Sequence, residues 1–193
     1  MTNLADRPNS PRGGRRREEL VEAGIALLGE DGWTGVTTRA VAERAGTNPG
    51  LIHYHFGGLA GLHAAIFQRA TDLIIDPLVD GLLGAPDERA ALAMVRDMLE
   101  QAPGDERTTR LAAELIMGAT RDPALGAVLR DGLRQARAQI ADRLRALHPG
   151  WPQARLAGSA TLIAASIDGL MLHSMIDDEL PVGEALSAVG ELL

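Results

Sequence analysis

The 193-residue chain contains no cysteine and no lysine. The missing thiols exclude disulfides and thiolate metal sites, and they fit a protein working in a reducing cytoplasm. Aromatic residues make up only 3% of the chain, as two Trp, one Tyr and two Phe, and β-branched residues are sparse. Ala, Leu and Arg dominate instead, a composition that favours helices over sheets. No window approaches the ~18 uninterrupted apolar residues of a membrane-spanning helix. The basic N-terminal stretch is not followed by an apolar run, so no signal peptide is expected. A glycine-rich phosphate loop, a nucleophile elbow and an HExxH pair are all absent, and neither an enzyme nor a cofactor is expected. With 46% hydrophobic residues there remains enough apolar material for one or two compact domains with a real core.

Without lysine, every one of the 19 cations is an arginine. Residues 1–70 hold eight Arg against seven acids, while residues 71–193 hold eleven Arg against nineteen acids. The net charge of −7 therefore resides in the second part of the chain. A nearly neutral head with Arg12, Arg15, Arg16 and Arg17 bunched together precedes an acidic body. Such a cluster acquires meaning where the segment after it can hold nucleic acid.

Residues 1–14, with Pro8, Pro11, Gly13 and Gly14, read as a disordered basic arm. From Arg15 onward Leu20, Gly24, Leu27 and Leu28 fall on one helical stripe that ends near residues 29–32. Thr37 and Thr38 start a second helix carrying Val41, Ala42 and Ala45, which stops at Gly46. After the turn Gly46-Thr47-Asn48, Asn48 is placed to cap a two-turn helix over residues 49–56 with Pro49 in its first position. Longer helices follow: one from Leu59 to about residue 83 with Pro77 inside, then segments opened by Asp87, Asp105, Asp122-Pro123, Pro152 and Pro181. About nine helices, no strand pattern and no internal repeat make the expected architecture all-α.

Two short helices joined by a tight glycine turn, the second short and polar, form a helix-turn-helix pattern. In DNA readers of this type the second helix enters the major groove and its N-terminal residues meet base edges. Residues 18–67 carry more than the turn. The Gly32-Trp33 corner, the Thr37-Thr38 start, AVAERAG, and the block Gly50-Leu51-Ile52-His53-Tyr54-His55-Phe56 lie in one unbroken register. This stretch strongly resembles the N-terminal domain of the TetR/AcrR family of transcriptional regulators. The remainder is similar in length, in its helical character and in the late segment 160–170.

The resemblance implies a three-helix DNA-binding domain over residues 15–58 and a ligand-binding and dimerisation bundle over residues 59–193. Its implied DNA-contacting residues are Arg15, Arg16, Arg17, Thr37, Thr38, Arg39, Thr47, Asn48, Pro49, Gly50, His53, Tyr54 and His55. Trp33, Leu51, Ile52 and Phe56 would form the small core of that domain. The family usually carries a phosphate-contacting lysine where this chain has Leu59. The implied function is a homodimeric repressor released from a palindromic double-stranded DNA operator by an unknown small-molecule effector. A helical ligand-binding or adaptor protein with a weakened head is the alternative that Leu59 leaves open.

A metal site at the histidines is not expected. His53 and His55 are two apart on a helix and point about 200° away from each other. Asp168 and His173, five apart, lie about 140° apart and make a poor acid–base pair. In the body, Leu156, Ala160, Ile163, Ile167, Leu170 and Ser174 are spaced as a heptad-like seam, and with Leu186 and Val189 they are the expected dimer interface. Methionines and polar residues inside apolar helical runs are the expected ligand contacts: Met94, Met98, Arg110, Glu114, Met117, Thr161, Asp168, Met171, His173 and Met175.

Overall fold

The computed structural model describes residues 11–101, 106–174, 176, 177 and 179–192. Among the described residues there are nine helices and no strand. They are α1 (Pro11–Asp31), α2 (Thr38–Arg44), α3 (Gly50–Phe56), α4 (Leu59–Gly84), α5 (Glu88–Gln101), α6 (Glu106–Arg121), α7 (Pro123–Leu147), α8 (Gln153–Ser174) and α9 (Val182–Leu192). The expected arm is corrected in part. Residues 11–14 are helical, because Pro11 sits where its fixed φ suits helix entry and Gly13 is buried rather than idle in solvent. Residues 1–10 lie outside the described residues, as does Asp105.

Local chemistry accounts for most boundaries. The Thr37 hydroxyl accepts from the Ala40 amide at 3.1 Å and caps α2. Asn48 Oδ1 accepts from the Gly50 amide at 2.8 Å and the Asn48 carbonyl accepts from Leu51, but α3 begins at Gly50 with Pro49 in the N-cap position, one residue later than the expected start. Asp87 accepts from Ala90 ahead of α5, and Asp122 accepts from Ala124 ahead of α7, both at 2.8 Å. Pro77 lies inside α4 without ending it.

The chain forms two compact units. One takes residues up to Thr71 together with Arg110–Leu129; the other takes Asp72–Thr109 and Arg130–Leu193. The boundary expected after residue 58 therefore does not coincide with the compact units, because the first turns of α4 and most of α6 pack with the head. All three chain crossings fall inside helices, within α4, α6 and α7. The core of the first unit includes Leu20, Ile25, Leu28, Val36, Val41, Ile52, Leu62, Ile66 and Phe67. In the second unit one cluster joins Val95, Leu99, Ile167, Val182 and Leu186, and another joins Ile140, Ala141, Leu144, Leu156 and Ala160.

The step from α3 to α4 is unusually tight. Gly57 has φ 73° and ends α3 with its amide on the His53 carbonyl. The chain then doubles back so closely that a Cβ on Gly61 would lie 1.9 Å from the Phe56 carbonyl oxygen. In an open helical site Ala is favoured over Gly by about 1 kcal/mol. Gly61→Ala is expected to reverse that sign and cost about 1–3 kcal/mol by overpacking. Urea-unfolding midpoints check it, with Gly84→Ala as the control because nothing lies within 4 Å of a Cβ there.

Candidate nucleic-acid interface

The reading surface is built around α3. Ile52 is fully buried, while Asn48, Pro49, Gly50, His53 and Tyr54 are exposed at the start and outer side of the helix. Leu51 and Thr47 are half-buried, so one short helix is anchored by its inner face and presents its N-terminal end outward. His55 does not share that face. It is half-buried, with the rings of Tyr54 and Phe56 at 5.1 and 6.3 Å, and is less open to solvent than His53. The physical reason is the 200° separation from His53 that also excludes joint chelation. Groups of three or more His, Cys, Asp or Glu able to hold a metal ion are absent among the described residues.

The basic cluster divides by role. Arg15 and Arg39 are exposed. Arg16 pairs with Glu19 at 2.6 Å, and the Arg17 guanidinium lies 5.0 Å from the centre of the Phe56 ring. Arg17 thereby ties α1 to the end of α3 while keeping its charge at the surface. Thr38, half-buried, is the first residue of α2. Leu59, where the family carries its lysine, is exposed at the start of α4.

A corner 81 residues away in sequence holds this surface in place. Trp33 donates its indole N–H to the Glu114 carbonyl at 2.8 Å, and its amide donates to the Glu114 carboxylate at 3.3 Å. The indole stacks near Phe67 and meets His63 edge-on, and His63 Nε2 lies 2.8 Å from the Val36 carbonyl. Glycine is required twice here. Gly32 has φ 69° directly beneath the Glu114 carboxylate, and a Cβ on Gly118 would lie 2.8 Å from the indole nitrogen. Arg110 donates to the Glu30 carbonyl at 2.7 Å, and Glu30 also takes Arg44 in a two-point ion pair.

The expected ligand set is not brought together. Arg110, Glu114 and Met117 belong to the first unit, where Arg110 and Glu114 hold the head. Met94, Met98 and Met171 pack against the apolar cluster of the second unit. Thr161 and His173 are exposed, the Thr161 hydroxyl donating to the Ala157 carbonyl, and Met175 lies outside the described residues. Burial pushes the Asp168 carboxyl above its usual range, with the charge of Arg137 pulling the other way.

The second unit instead holds a partly open apolar cavity of about 100 Å³ that none of those residues lines. Its wall includes Leu92, Val95, Ile163, Ile167, Leu186 and Val189, with Ala85, Asp87, Glu88 and Arg143 among the polar and turn residues around it. The signal for it lay in the aliphatic stripes of five helices, which sequence alone does not distinguish from solid core.

The expected dimer seam is corrected as well. Leu156, Ala160, Ile167, Ser174 and Leu186 are buried within the protomer, and Ile163, Leu170 and Val189 are half-buried in it. A second stripe two residues further on carries the same spacing: Gly158, Leu162, Ala165, Gly169, Leu172 and Ile176. Leu162 is 39% exposed, Leu172 37% and Ile176 88%, and nothing lies within 4 Å of a Cβ built on Gly158 or Gly169. By length and composition α8 could cross a membrane, with a mean hydropathy of 1.3, and 22% of that window is buried within the protomer.

With this geometry established, similarity to known proteins becomes informative. Residues 20–66 match the profile of bacterial regulatory proteins of the tetR family, and residues 86–193 match the C-terminal region of BetI-type transcriptional repressors. The chain belongs to the TetR family. The HTH-type transcriptional regulator BetI of Rhizobium meliloti (strain 1021) is 29% identical over 163 residues, covering 83% of this chain and 78% of that protein. The transcriptional regulator SCO7518 from Streptomyces coelicolor A3(2) has a TM-score of 0.77 at 29% identity, covering 92% of this chain and 98% of that one. A transcriptional regulator from Saccharomonospora viridis, solved in complex with choline, has a TM-score of 0.70 at 21% identity over 93% and 95% of the two chains, a likeness of fold.

As a TetR-family member the chain is a DNA-binding transcriptional regulator of the BetI-repressor type, and not an enzyme. The family acts as dimers on DNA.

The raised Asp168 carboxyl has a testable consequence. Its folded value lies above the ordinary 3.8, so ionising it costs stability as pH rises through that interval. Asp168→Asn is expected to unfold at higher urea than the wild type near about pH 7, with the difference shrinking toward about pH 4. An unchanged difference across that range would show that the carboxyl titrates normally.

Proposed function

We propose that this TetR-family chain is a cytoplasmic homodimeric repressor that holds a palindromic or near-palindromic operator through two α3 helices and releases it when a small effector with an aliphatic body enters the second unit. The observation that carries the DNA half is α3 itself, buried through Ile52 while Asn48, Pro49, Gly50, His53 and Tyr54 remain exposed. Thr38, Arg15, Arg17 and Arg39 supply the surrounding phosphate contacts.

The partner for the exposed α8 stripe is a second copy of this chain. An apolar stripe on a helix that is otherwise part of the core needs cover, and the two glycines permit close helix approach. A dimer accounts for this apolar surface without invoking a bilayer. Release then requires an effector that binds one dimer shape better than the other, since only differential affinity shifts the equilibrium. The compact units share α4, α6 and α7, so a change in the second unit enters the head through helices rather than through a slack linker.

The choline of the Saccharomonospora neighbour does not transfer to this chain. Quaternary ammonium groups are held by aromatic faces. Trp151 is the only Phe, Tyr or Trp in the second unit, and its ring already carries His148 at 4.0 Å and Arg155 at 4.0 Å.

Selection of genomic fragments by the purified protein at about 0.1 M salt tests the reading. Enrichment of one palindrome is expected, lost in His53→Ala/Tyr54→Ala with helicity and dimer mass intact. Failure to enrich any DNA sinks the operator reading. Leu162→Arg is expected to give a folded monomer by sedimentation, whereas a persisting dimer would move the interface elsewhere. Replacing Arg15 and Arg17 with Ala should lower the salt slope of binding by about 0.9 for each phosphate that is no longer neutralised.

A further inference from the structure

We propose that the effector is a short aliphatic carboxylate, its chain in the cavity of the second unit and its acid group on Arg143. This deepens the reading of that unit as the effector-binding part and rests on it. The lining is almost entirely aliphatic, so it selects a ligand body without rings or many polar groups. Its volume of about 100 Å³ holds about three water-sized groups at ~30 Å³ each, and the cavity is partly open, so an acid of roughly four to six carbons keeps its carboxylate and up to two methylenes at the mouth.

Charge decides which end group completes the ligand. Asp87, Glu88 and Arg143 are the ionisable residues of the lining. Both acids are engaged: Asp87 accepts from the Ala90 amide at 2.8 Å, and Glu88 is held by His148 Nε2 at 2.5 Å. Arg143 is different. Its guanidinium donates to the Ala85 carbonyl at 2.6 Å and to the Pro86 carbonyl at 3.4 Å, both neutral acceptors. A carboxylate is a stronger acceptor than either and matches the planar fork in a two-point pair. An alcohol offers that fork no charge, and an ammonium meets the carboxylates of Asp87 and Glu88 rather than the fork.

The same exchange supplies a route for the signal. Arg143 on α7 clasps the turn between α4 and α5 through Ala85 and Pro86. Both bonds come from Nη2, so a carboxylate that draws this nitrogen away frees the two carbonyls and loosens the far end of α4.

Titration of the full-length wild-type protein with hexanoate, hexan-1-ol and hexylammonium tests the proposal by calorimetry and thermal unfolding. Hexanoate is expected to raise the midpoint and to bind at least tenfold more tightly than the other two. Arg143→Gln is expected to erase that tenfold preference, and Ala91→Leu, which fills the cavity without touching charge, to abolish binding of all three. Should Arg143→Gln fail to fold, the wild-type series and Ala91→Leu decide alone. Absence of hexanoate binding, equal binding of the alcohol or amine, or unchanged preference in Arg143→Gln overturns the proposal. Operator retention is read in the same samples: an acid that binds at Arg143 without releasing DNA refutes the release reading and leaves this assignment standing. Release by other molecules with no acid binding does the reverse.

Discussion

The seating of Trp33 against α6 is the constraint on which the DNA-reading head depends. A helix of seven residues is too short to be stable by itself, so α3 takes its pose from what it packs on. That packing is a small core containing Phe67 and Ile52, closed at one corner by an indole whose N–H and amide both end on Glu114. Gly32 and Gly118 make the seat by having no side chain to put in it. Each bond contributes only about 1 kcal/mol net, but leaving the indole N–H buried without its acceptor would cost about 1–3 kcal/mol. The corner therefore fixes the geometry of the reading surface more firmly than its size suggests, and it makes α6 a structural member of the head.

The all-arginine cation set has different consequences in the two units. In the head the guanidinium groups act by geometry: Arg17 lies over Phe56, Arg44 makes a two-point pair with Glu30, and Arg110 caps the Glu30 carbonyl. Exposed contacts of this kind add little stability, so they orient helices that the apolar core already holds together. The excess acid of residues 71–193 repels a phosphate backbone, and only the head can approach DNA closely. Leu59 removes one cation from that approach, leaving the arginines of α1 to carry more of it.

In the second unit the same aliphatic chemistry serves two surfaces. One side of α8 enters the intrachain clusters through Leu156, Ile163 and Ile167, while the opposite side carries Leu162 and Leu172 to the surface. A helix apolar on both sides is what a chain needs when one side closes its own core and the other meets a partner. The cavity beside Ile163 and Ile167 shows that the first side does not fill its space completely, and small-molecule sites are made of such unfilled apolar space with a few fixed polar groups.

Local chemistry made much of this legible. Side-chain bonds at Thr37, Asn48, Asp87 and Asp122, and the prolines that open α7 and precede α8 and α9, act within a few residues, so the sequence by itself determined an all-helical chain and the position of its reading helix. The exposed residues around α3 were legible because one long register carries them together. The ligand and dimer residues were not, because a methionine or an aliphatic stripe has the same pattern whether it faces a cavity, a core or a partner. On α8 two stripes share one spacing two residues apart, about 200° around the helix. Only packing against α5, α7 and α9 decided which of them turned inward, and only the fold carried Arg110 and Glu114 to the head instead of to a ligand.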